Sequence, residues 1–287
     1  MAQTKHEIQA LLSSAGTEPR HRFGQNFMID QNLVRIVADA GELSADDTVI
    51  EVGPGTGTLT EELLARAGRL IAVEIDRNLA AMLREHYASN SKFELIEGDA
   101  LSSKHALNAQ LLERIAVGPR PAHPHTKLVA NLPYNIASPL VIELLLAGVD
   151  LLAFTVQKEV ADRLRASADS DAYGPLTVMA QMLSDVELLR TLPPQAFWPA
   201  PKIDSALVRM RRNDRLGAIA RNFSRFVHQI FSARRKTLRK ALSNAGFDAD
   251  DALKELSIDP QLRPENLSPQ RFLALFQNLR PESQSAG

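Results

Sequence analysis

The sequence contains no cysteine, so disulfide bonds, thiolate catalysis and cysteine-ligated zinc or iron–sulfur sites are excluded. It also lacks any apolar run of the roughly 20 residues that a bilayer crossing requires. The N-terminal residues contain no basic segment followed by a long apolar core, so we expect no signal peptide. We therefore expect a cytoplasmic protein with no membrane partner.

The 287 residues are 45% apolar, which is enough for one large or two ordinary domains with a sizeable core. The net charge of −1 hides an uneven distribution. Residues 212–287 carry 13 basic and 8 acidic residues, a net charge of +5, whereas residues 1–211 carry 20 and 26, a net charge of −6. Eight basic residues and no acidic one lie between Arg215 and Lys240, and such clustering is typical of proteins that bind a polyanion.

Strand and helix patterns alternate up to about residue 211, which predicts an α/β fold with a mostly parallel, doubly wound sheet. Ahead of the sheet, Asp30 is predicted to cap a helix that Gly41 ends. The predicted strands cover Thr48–Val52, Arg69–Ile75, Phe93–Ile96, Lys127–Asn131, Leu151–Gln157, Val186–Leu189 and Ala206–Met210.

Helical periodicity replaces this alternation after about Arg212, and no further strand is predicted. We therefore expect an α/β domain over 21–211 and a small all-helical domain over 212–287. Residues 1–20 are polar and predict a flexible, poorly ordered arm. The Pro-rich stretch 118–124 predicts a surface loop. A metal site there would need more converging ligands than His123 and His125, so we interpret both as solvated loop residues and predict no metal.

A glycine-rich turn follows the first strand of the sheet, where VIEVGPGTGTLT places Gly53, Gly55 and Gly57 at G-x-G-x-G spacing. Glycines at a strand-to-helix turn permit positive φ and let a ligand approach the backbone closely. The next strand ends in Glu74, which is suited to accept both hydroxyls of a ribose, and the third is followed by Asp99, a suitable acceptor for an adenine amine. A tight turn without a ligand would explain the glycines alone. Together with the two acids, they predict a nucleoside-binding cleft.

Such a cleft suits either a dinucleotide or S-adenosylmethionine, and two features favour the second. The dinucleotide fingerprint G-x-G-x-x-G seats a pyrophosphate at a helix N-terminus, and its third glycine is misplaced here. Glu51 lies just before the glycines. A carboxylate at that place suits a ligand with a sulfonium and an ammonium group better than one with a pyrophosphate.

The fourth strand ends in Asn131-Leu132-Pro133-Tyr134, at the sheet edge where ligands bind in this topology. The Asn131 side-chain oxygen and the Leu132 carbonyl can accept hydrogen bonds from an adenine amine, which favours a tetrahedral nitrogen with its lone pair free to attack a methyl group. Pro133 fixes φ and has no N–H to compete. Tyr134 offers a ring on which a base can stack, worth about 1–3 kcal/mol. Catalysis would then depend on positioning and electrostatics rather than on a strong base.

These motifs resemble those of the ribosomal small-subunit adenine dimethyltransferases, the KsgA-type family, and the resemblance extends from about residue 21 to 275. The segments that carry it are HRFGQNFMID (21–30), EVGPGTGTLT (51–60), VEID (73–76), EGDAL (97–101), NLPYNIASPL (131–140), VQKEVADRL (156–164), FWPAPKIDSA (197–206) and IFSARRKTLRKAL (230–242).

The resemblance implies a Rossmann-like class I methyltransferase domain and a helical C-terminal domain. It implies dimethylation of two adjacent adenosines near the 3′ end of 16S rRNA, in the 30S subunit or its precursor, late in assembly and by a monomer. Two departures from the family are Met28, where leucine is usual, and the apparent insertion at 118–124. The methyl-donor contacts that the resemblance assigns are Asn26, Met28, Gly53, Glu74, Asp99 and Asn131, with Glu51, Gly55, Ile75 and Ala100 in the same motifs.

Two further features have both a structural and a functional interpretation. Phe197 is either a core aromatic or, as the resemblance implies, the wall of a base pocket opposite Tyr134. The segment from Phe226 to Leu242 predicts one helix with an apolar face, and its charges are either a solvated face or phosphate contacts. The lack of acids over 215–247 favours RNA phosphates. The candidate RNA-binding residues are Arg221, Arg225, Arg234, Arg235, Lys236, Arg239 and Lys240.

Two alternative functions remain open at this point. A large-subunit rRNA adenine methyltransferase of the erythromycin-resistance type would share the glycine motif and an N-L-P-Y-like motif. The segments ARRKTLRKAL and FWPAPKIDSA favour the small-subunit family over it. A binding factor that keeps the fold without the chemistry is disfavoured because Glu51, Glu74, Asp99, Asn131 and Tyr134 are all present.

Overall fold

The computed structural model describes residues 3–20, 23–116, 125–213 and 215–281. The predicted loop at 118–124 and His123 therefore lie outside the described residues. The described helices are α1 (Lys5–Ser14), α2 (Gln31–Ala40), α3 (Thr58–Leu64), α4 (Arg77–His86), α5 (Ala109–Ala116), α6 (Ala137–Leu146), α7 (Lys158–Leu164), α8 (Pro175–Leu183), α9 (Ala220–Ser232), α10 (Leu238–Asn244), α11 (Asp250–Glu255) and α12 (Pro269–Asn278). The strands are β1 (Phe27–Met28), β2 (Thr48–Val52), β3 (Arg69–Glu74), β4 (Phe93–Glu97), β5 (Leu101–Ser103), β6 (Ala106–Leu107), β7 (Thr126–Asn131), β8 (Leu151–Gln157), β9 (Ser184–Leu192), β10 (Phe197–Trp198), β11 (Ser205–Arg212), β12 (Phe247–Asp248) and β13 (Arg280–Pro281).

A seven-stranded sheet in the order β4-β3-β2-β7-β8-β11-β9 forms the centre of the α/β unit, which confirms the predicted fold class. Strands β4, β3, β2, β7 and β8 are mutually parallel, and β11 is antiparallel to β8. Parallel strands covered on both faces are apolar along their whole length, and β7 and β8 show this pattern of burial. The carboxyl ends of β2, β3, β4 and β7 therefore meet at one edge of the sheet.

Helix α2 begins and ends as its sequence predicts. The Asp30 side chain accepts hydrogen bonds from the backbone N–H groups of Asn32 and Leu33, at 2.8 and 3.2 Å, and Gly41 is the C-cap. Caps of this kind contribute about 1 kcal/mol. The helix buries its apolar face on α3, β7 and β8.

The N-terminal segment is where the structure overturns a prediction. Residues 1–20 were expected to form a poorly ordered arm, but Lys5–Ser14 is a helix with Thr4 and Glu7 in a reciprocal capping box. Ile8 and Leu12 are buried, in a cluster with Phe27 and Leu79. Two apolar residues one turn apart are a short signal within a polar stretch, and only their burial partners make the helix stable.

The chain divides into two compact units, and the division differs from the predicted boundary at residue 211. One unit contains residues 1–161 and 186–212, and the other contains 162–185 and 213–287. Residues 162–185 join the helical unit because the Tyr173 hydroxyl donates to the Leu267 carbonyl at 2.5 Å and α8 packs on α9 and α12. The sequence concealed this because α8 continues the regular strand–helix alternation.

An aromatic cluster fills the core of the helical unit. Phe223, Phe226 and Phe272 are buried, and Phe231 stacks on Phe272 with ring centroids 5.4 Å apart. Burial of each such ring stabilises the fold by about 1.5–3 kcal/mol.

The prediction of no strand after Arg212 is wrong, because β12 and β13 form a short antiparallel pair.

The predicted single helix from Phe226 to Leu242 is also corrected. Helix α9 ends at Ser232, and α10 begins after Thr237, whose side chain accepts from the Lys240 N–H at 3.4 Å. A threonine preceding an apolar residue is an N-cap signal, and it interrupts the helical periodicity here.

In the described part of the chain, no helix is long and apolar enough to cross a membrane.

Candidate active site

A cavity of about 310 Å³ lies at the carboxyl edge of the sheet in the α/β unit. Its volume is at the lower end of the range for ligand sites, about 300–1,000 Å³. Its lining residues come from five segments, 23–28, 51–59, 73–75, 98–100 and 131–136, in which Gly57 and Tyr134 do not line it. All ten predicted methyl-donor contacts are among the lining residues. These ten are Asn26, Met28, Glu51, Gly53, Gly55, Glu74, Ile75, Asp99, Ala100 and Asn131.

The glycine loop between β2 and α3 forms the floor of this cavity. Gly53 and Gly55 have φ values of 73° and 61°, which non-glycine residues rarely adopt. A Cβ atom on Gly55 would lie 2.8 Å from the Phe27 ring, and one on Gly53 would lie 3.2 Å from the Pro133 ring. The glycines therefore let the loop pack directly against the segments before α2 and after β7.

Glu74 ends β3 and holds the loop through both carboxylate oxygens. They accept the Gly55 N–H at 3.1 Å and the Asp76 N–H at 2.8 Å. The side chain was predicted to accept ribose hydroxyls, and the structure adds this second role, since each oxygen keeps a further lone pair. Burial raises the pKa of Glu74 to about 7, against the lowering effect of the two N–H groups.

Glu51 lies in β2 and is 2% exposed. Burial raises the pKa of this carboxyl to about 8, and the nearby Glu74 raises it further, while the hydrogen bond from Thr60 Oγ1 at 2.7 Å opposes the shift. No lysine or arginine in the described ranges pairs with Glu51 or Glu74. Two buried carboxyls without a cation are costly to ionise, and a positively charged ligand would compensate them.

Asp99, Ala100 and Ile75 form the rim of the cavity. Asp99 is exposed, and its Oδ1 accepts the Leu101 N–H at 3.0 Å, which fixes the carboxylate after β4. Ala100 is buried, whereas Ile75 is 40% exposed and presents an apolar surface next to Glu74. An acidic acceptor beside apolar side chains suits an adenine ring with an exocyclic amine.

Asn131 is held at both ends of its side-chain amide. Its Nδ2 donates to the Asn26 carbonyl at 2.6 Å, and its Oδ1 accepts from the hydroxyl of Thr155 in the neighbouring strand β8. The second lone pair of Oδ1 is left to accept from a substrate. The Leu132 carbonyl accepts no hydrogen bond within the described ranges. The two predicted acceptors for an adenine amine are thus next to each other in the chain and next to Pro133, which lines the cavity.

Tyr134 is half-buried and does not line the cavity itself. Its hydroxyl is 2.7 Å from Ser205 Oγ, and burial raises its pKa. Ser205 lies at the start of β11 and is fully buried, so the phenol is fixed at its far end. Tyr134 directly follows Pro133, which lines the cavity.

Phe197 is not placed as a base-pocket wall. It is 2% exposed, belongs to the main hydrophobic core, and pairs with Met28 in the short β1–β10 ladder. The predicted role as a second stacking surface is therefore not supported by this arrangement, and the core interpretation describes it. Trp198 is the partly exposed aromatic of β10 and stacks on Phe27 with centroids 6.4 Å apart.

Sequence reasoning missed three polar residues of this site: Gln3, Thr155 and Ser205. Ser205 lies within the segment FWPAPKIDSA, so a motif signal for it existed. Thr155 is one of the buried residues of β8, and its hydroxyl is significant only because Asn131 lies beside it in the sheet. Gln3 lies in the stretch that was predicted to be disordered.

The candidate RNA-binding residues are exposed on the helical unit, on α9, on the turn after it and on α10. The acid-free stretch does acquire acidic partners: Arg239 pairs with Asp250 at 2.5 Å and Arg234 lies 3.9 Å from Glu265. Four of the cations have no ion pair in the part of the chain that the structure describes, namely Arg225, Arg235, Lys236 and Lys240.

No group of three or more histidine, cysteine, aspartate or glutamate side chains that could hold a metal ion occurs among the described residues. His125 Nδ1 lies 3.5 Å from Asp150 Oδ2.

The cavity fits S-adenosylmethionine on chemical grounds. Glu51 and Glu74 supply negative charge for a cationic ligand, and Asp99 supplies an acceptor at the rim. The positive-φ glycines let a ligand reach the backbone of the loop. Among the described residues, no basic side chain lines the cavity, and the buried carboxyls of Glu51 and Glu74 suit a cationic ligand better than the pyrophosphate of a dinucleotide.

Comparison with known proteins agrees with this chemistry. The sequence profile of the family described as ribosomal RNA adenine dimethylase matches residues 16–280. The chain is similar to a protein named ribosomal RNA small subunit methyltransferase A from Magnetococcus marinus, with 42% identity over 282 residues, 96% of this chain and 97% of that protein. A protein of the same name from Clostridium perfringens is 38% identical over 88% of this chain and 87% of its own length.

Two solved structures are similar over most of the chain. A dimethyladenosine transferase from Plasmodium falciparum has a TM-score of 0.68 at 23% identity, covering 88% of this chain and 96% of that one, and it supports the fold. The 23S rRNA methyltransferase ErmE has a TM-score of 0.59 at 28% identity, covering 88% and 98%.

Proposed function

Because the chain belongs to the ribosomal RNA adenine dimethylase family, we propose that it transfers methyl groups from S-adenosylmethionine to the N6 amines of two adjacent adenosines near the 3′ end of 16S rRNA. The observation that carries the proposal is the fixed Asn131 amide beside the cavity, with Oδ1 and the Leu132 carbonyl available as paired acceptors. An adenine N6 amine has two N–H groups, so two adjacent acceptors match it.

When bound, S-adenosylmethionine supplies a methyl group on a positively charged sulfur. The Asn131 side-chain oxygen and the Leu132 carbonyl each accept a hydrogen bond from one N6–H group. These hydrogen bonds move the nitrogen lone pair out of conjugation with the ring. The lone pair then forms the N–CH₃ bond as the S–CH₃ bond breaks, and the bonding electrons stay on sulfur. The methylated ammonium loses one proton to water. In the second transfer the monomethylated nitrogen has one N–H left to donate to this pair of acceptors, and after methylation it loses that proton to give the dimethylamine.

The remaining residues bind and orient the two substrates. Glu51 and Glu74 would compensate the positive charge of the donor, Asp99 would accept from its adenine amine, and the glycine loop would let the donor approach the backbone. Tyr134 offers a stacking surface to the target base, and its hydroxyl is held by Ser205 so that the ring keeps its orientation. Preorganised acceptors of this kind account for catalysis without a strong base.

The exposed cations of the helical unit are proposed to contact RNA phosphates, and four of them are free of acidic partners within the described ranges. The substrate we propose is 16S rRNA within the 30S subunit or its precursor, late in assembly. The modest charge suits recognition of folded RNA in a particle rather than of naked RNA. We further propose that the protein acts as a monomer in the cytoplasm.

The likeness to ErmE makes a large-subunit rRNA substrate the second candidate. The small-subunit candidate is favoured because relatives at 37–42% identity carry small-subunit methyltransferase names. Incubation of the protein and labelled donor with 30S and 50S particles from a strain whose rRNA lacks these methyl groups separates the two. We expect label in the 30S particles only, and label confined to the 50S particles would refute the proposal.

Mass spectrometry of the digested RNA then gives the position and the number of methyl groups in one experiment. The matched variant is Asn131→Ala, which should abolish transfer while the protein still binds the particle. Transfer at the normal rate by Asn131→Ala would show that the amide is not part of the mechanism. Particle binding without transfer by the unmodified protein would favour a binding factor that lacks the chemistry.

A further inference from the structure

The side chain of Gln3 contacts the glycine loop from outside the region that the family profile matches, which begins at residue 16. Its Nε2 donates to the Thr56 carbonyl at 2.9 Å. Its Oε1 accepts from the hydroxyls of Thr56, at 2.6 Å, and Thr58, at 2.9 Å. One amide thus pairs with two polar groups of the loop and with the hydroxyl of Thr58, the first residue of α3, and both threonines line the donor cavity.

Helix α1 holds Gln3 at this place. Ile8 is fully buried and Leu12 is 2% exposed, in a cluster with Phe27 and Leu79. Phe27 also lines the cavity, and its ring packs closely on Gly55. The helix is therefore attached to the cavity wall through an apolar contact and through the Gln3 hydrogen bonds.

The glycine loop needs such support because its own sequence favours disorder. Gly53, Gly55 and Gly57 all have positive φ, and glycine loses more conformational entropy on ordering than any other residue. Thr56 lies between Gly55 and Gly57, and Thr58 follows Gly57. Both threonines are buried, so their hydroxyls require hydrogen-bond partners. Gln3 supplies the same acceptor oxygen to both hydroxyls and fixes the loop between them.

We propose that Gln3 is a positioning residue for methyl transfer, and that α1 holds the glycine loop in the conformation that binds S-adenosylmethionine. The identity of this donor rests on the proposed function. Coupling between two sites is reciprocal, so donor binding strengthens the attachment of α1 by the same factor by which α1 strengthens donor binding.

The test compares Gln3→Met with Gln9→Met in the full chain. Both substitutions replace glutamine by a side chain of similar length that makes no amide hydrogen bonds. Gln9 lies on α1 and is exposed, so its variant controls for the substitution and for helix stability. The dissociation constant is measured by calorimetry with S-adenosylhomocysteine, the unreactive product, and without RNA. We expect it to rise about fivefold to tenfold in Gln3→Met and to stay within twofold in Gln9→Met.

Hydrogen exchange gives a readout that does not depend on the ligand. The backbone amides of Gly53 and of residues 55–58 should exchange faster in Gln3→Met than in the unmodified protein, with no change in Gln9→Met. In the unmodified protein, S-adenosylhomocysteine should slow exchange at Ile8–Leu12. In kinetics, the effect of Gln3→Met should fall on the KM for the donor more than on kcat.

A dissociation constant for Gln3→Met within twofold of the unmodified protein would overturn the inference, whatever the exchange rates. The proposed function fails in a different way, since the unmodified protein would then bind the product and transfer no methyl group to RNA. Unchanged exchange at Gly53 and at residues 55–58 would likewise overturn the proposal that Gln3 holds the loop.

Discussion

Replacement of Glu51 by glutamine should stabilise the ligand-free protein, and increasingly so as pH rises. Glu51 is 2% exposed, and burial raises its pKa from 4.5 to about 8. Between those pH values the native state holds a proton that the unfolded state has released. Because the native state binds more protons, the free energy of unfolding falls as pH rises through this window.

The size of the effect follows from the same shift. One pKa unit corresponds to about 1.4 kcal/mol, so a shift from 4.5 to about 8 lowers the free energy of unfolding by at most about 5 kcal/mol across the window. Glutamine stays neutral at every pH in this range, and its oxygen can still accept the hydrogen bond from Thr60. We therefore expect wild type and Glu51→Gln to be equally stable near pH 5 and to differ by several kcal/mol at pH 8.

Thermal unfolding at pH 5, 6, 7 and 8 without ligand measures this difference, since 1 kcal/mol corresponds to about 2–4 °C in Tm for a chain of this size. Glu85→Gln is the control, because Glu85 is an exposed residue of α4. A Tm difference between Glu51→Gln and wild type that does not grow from pH 5 to pH 8 would refute the reasoning. The same variant should bind the cationic donor more weakly, because it has lost a charge.

Four other predictions test the site and the RNA surface. Donor affinity should rise from pH 6 to pH 8, by at most about tenfold per pH unit for each proton released on binding, because Glu51 and Glu74 must ionise to compensate the ligand. Calorimetry in two buffers measures the number of protons released, and an affinity that does not change with pH contradicts the prediction. Thr155→Val should lower the transfer rate about tenfold by freeing the Asn131 amide, and Thr155→Ser should restore it; equal rates in both variants would rule out a role for the hydroxyl. Phe197→Leu should retain activity if the ring acts only in the core, whereas Phe197→Ala should destabilise the fold by about 3–5 kcal/mol in chemical denaturation; a stable Phe197→Leu variant that transfers no methyl group would restore the base-pocket interpretation. Charge reversal at Arg235 and Lys236 should raise the KM for the 30S particle and weaken the dependence of that KM on salt concentration, with Lys254→Glu as the control. An unchanged salt dependence would show that the turn between α9 and α10 does not contact RNA.

The position of the donor cavity was predictable from the sequence because it depends on backbone order. Apolar runs predicted each parallel strand to within a few residues, and glycines and acids at the strand ends fell at one sheet edge once the strands were parallel. The topology requires this, since parallel strands joined by helices bring their carboxyl ends together. The glycines and acids at these strand ends were thus predictable from the sequence pattern, whereas Asn26 and Met28 were assigned only by the family resemblance.

The partners of those residues were not predictable, because they come from distant parts of the chain. Asn131 is fixed by Asn26 and Thr155, and the glycine loop by Gln3. The burial of Phe197 likewise depends on its pairing with Met28. Each of these contacts requires the packed fold, and no local pattern encodes it.

The helical unit shows the same limit. Its helical character was evident from periodicity, yet the basic stretch is broken by the Thr237 cap and receives acids from Asp250 and Glu265. Residues 162–185 belong to the helical unit through Tyr173, which the regular alternation concealed.

The sequence by itself determined the elements, their order and the chemistry available at the strand ends, because propensity, apolar periodicity and glycine conformation act over a few residues. Only the tertiary structure decided which of these groups are buried, how Glu51 and Glu74 acquire raised pKa values, and which side chains fix Asn131 and the glycine loop. Burial and desolvation are properties of the space around a group, and that space is filled by residues far away in the chain.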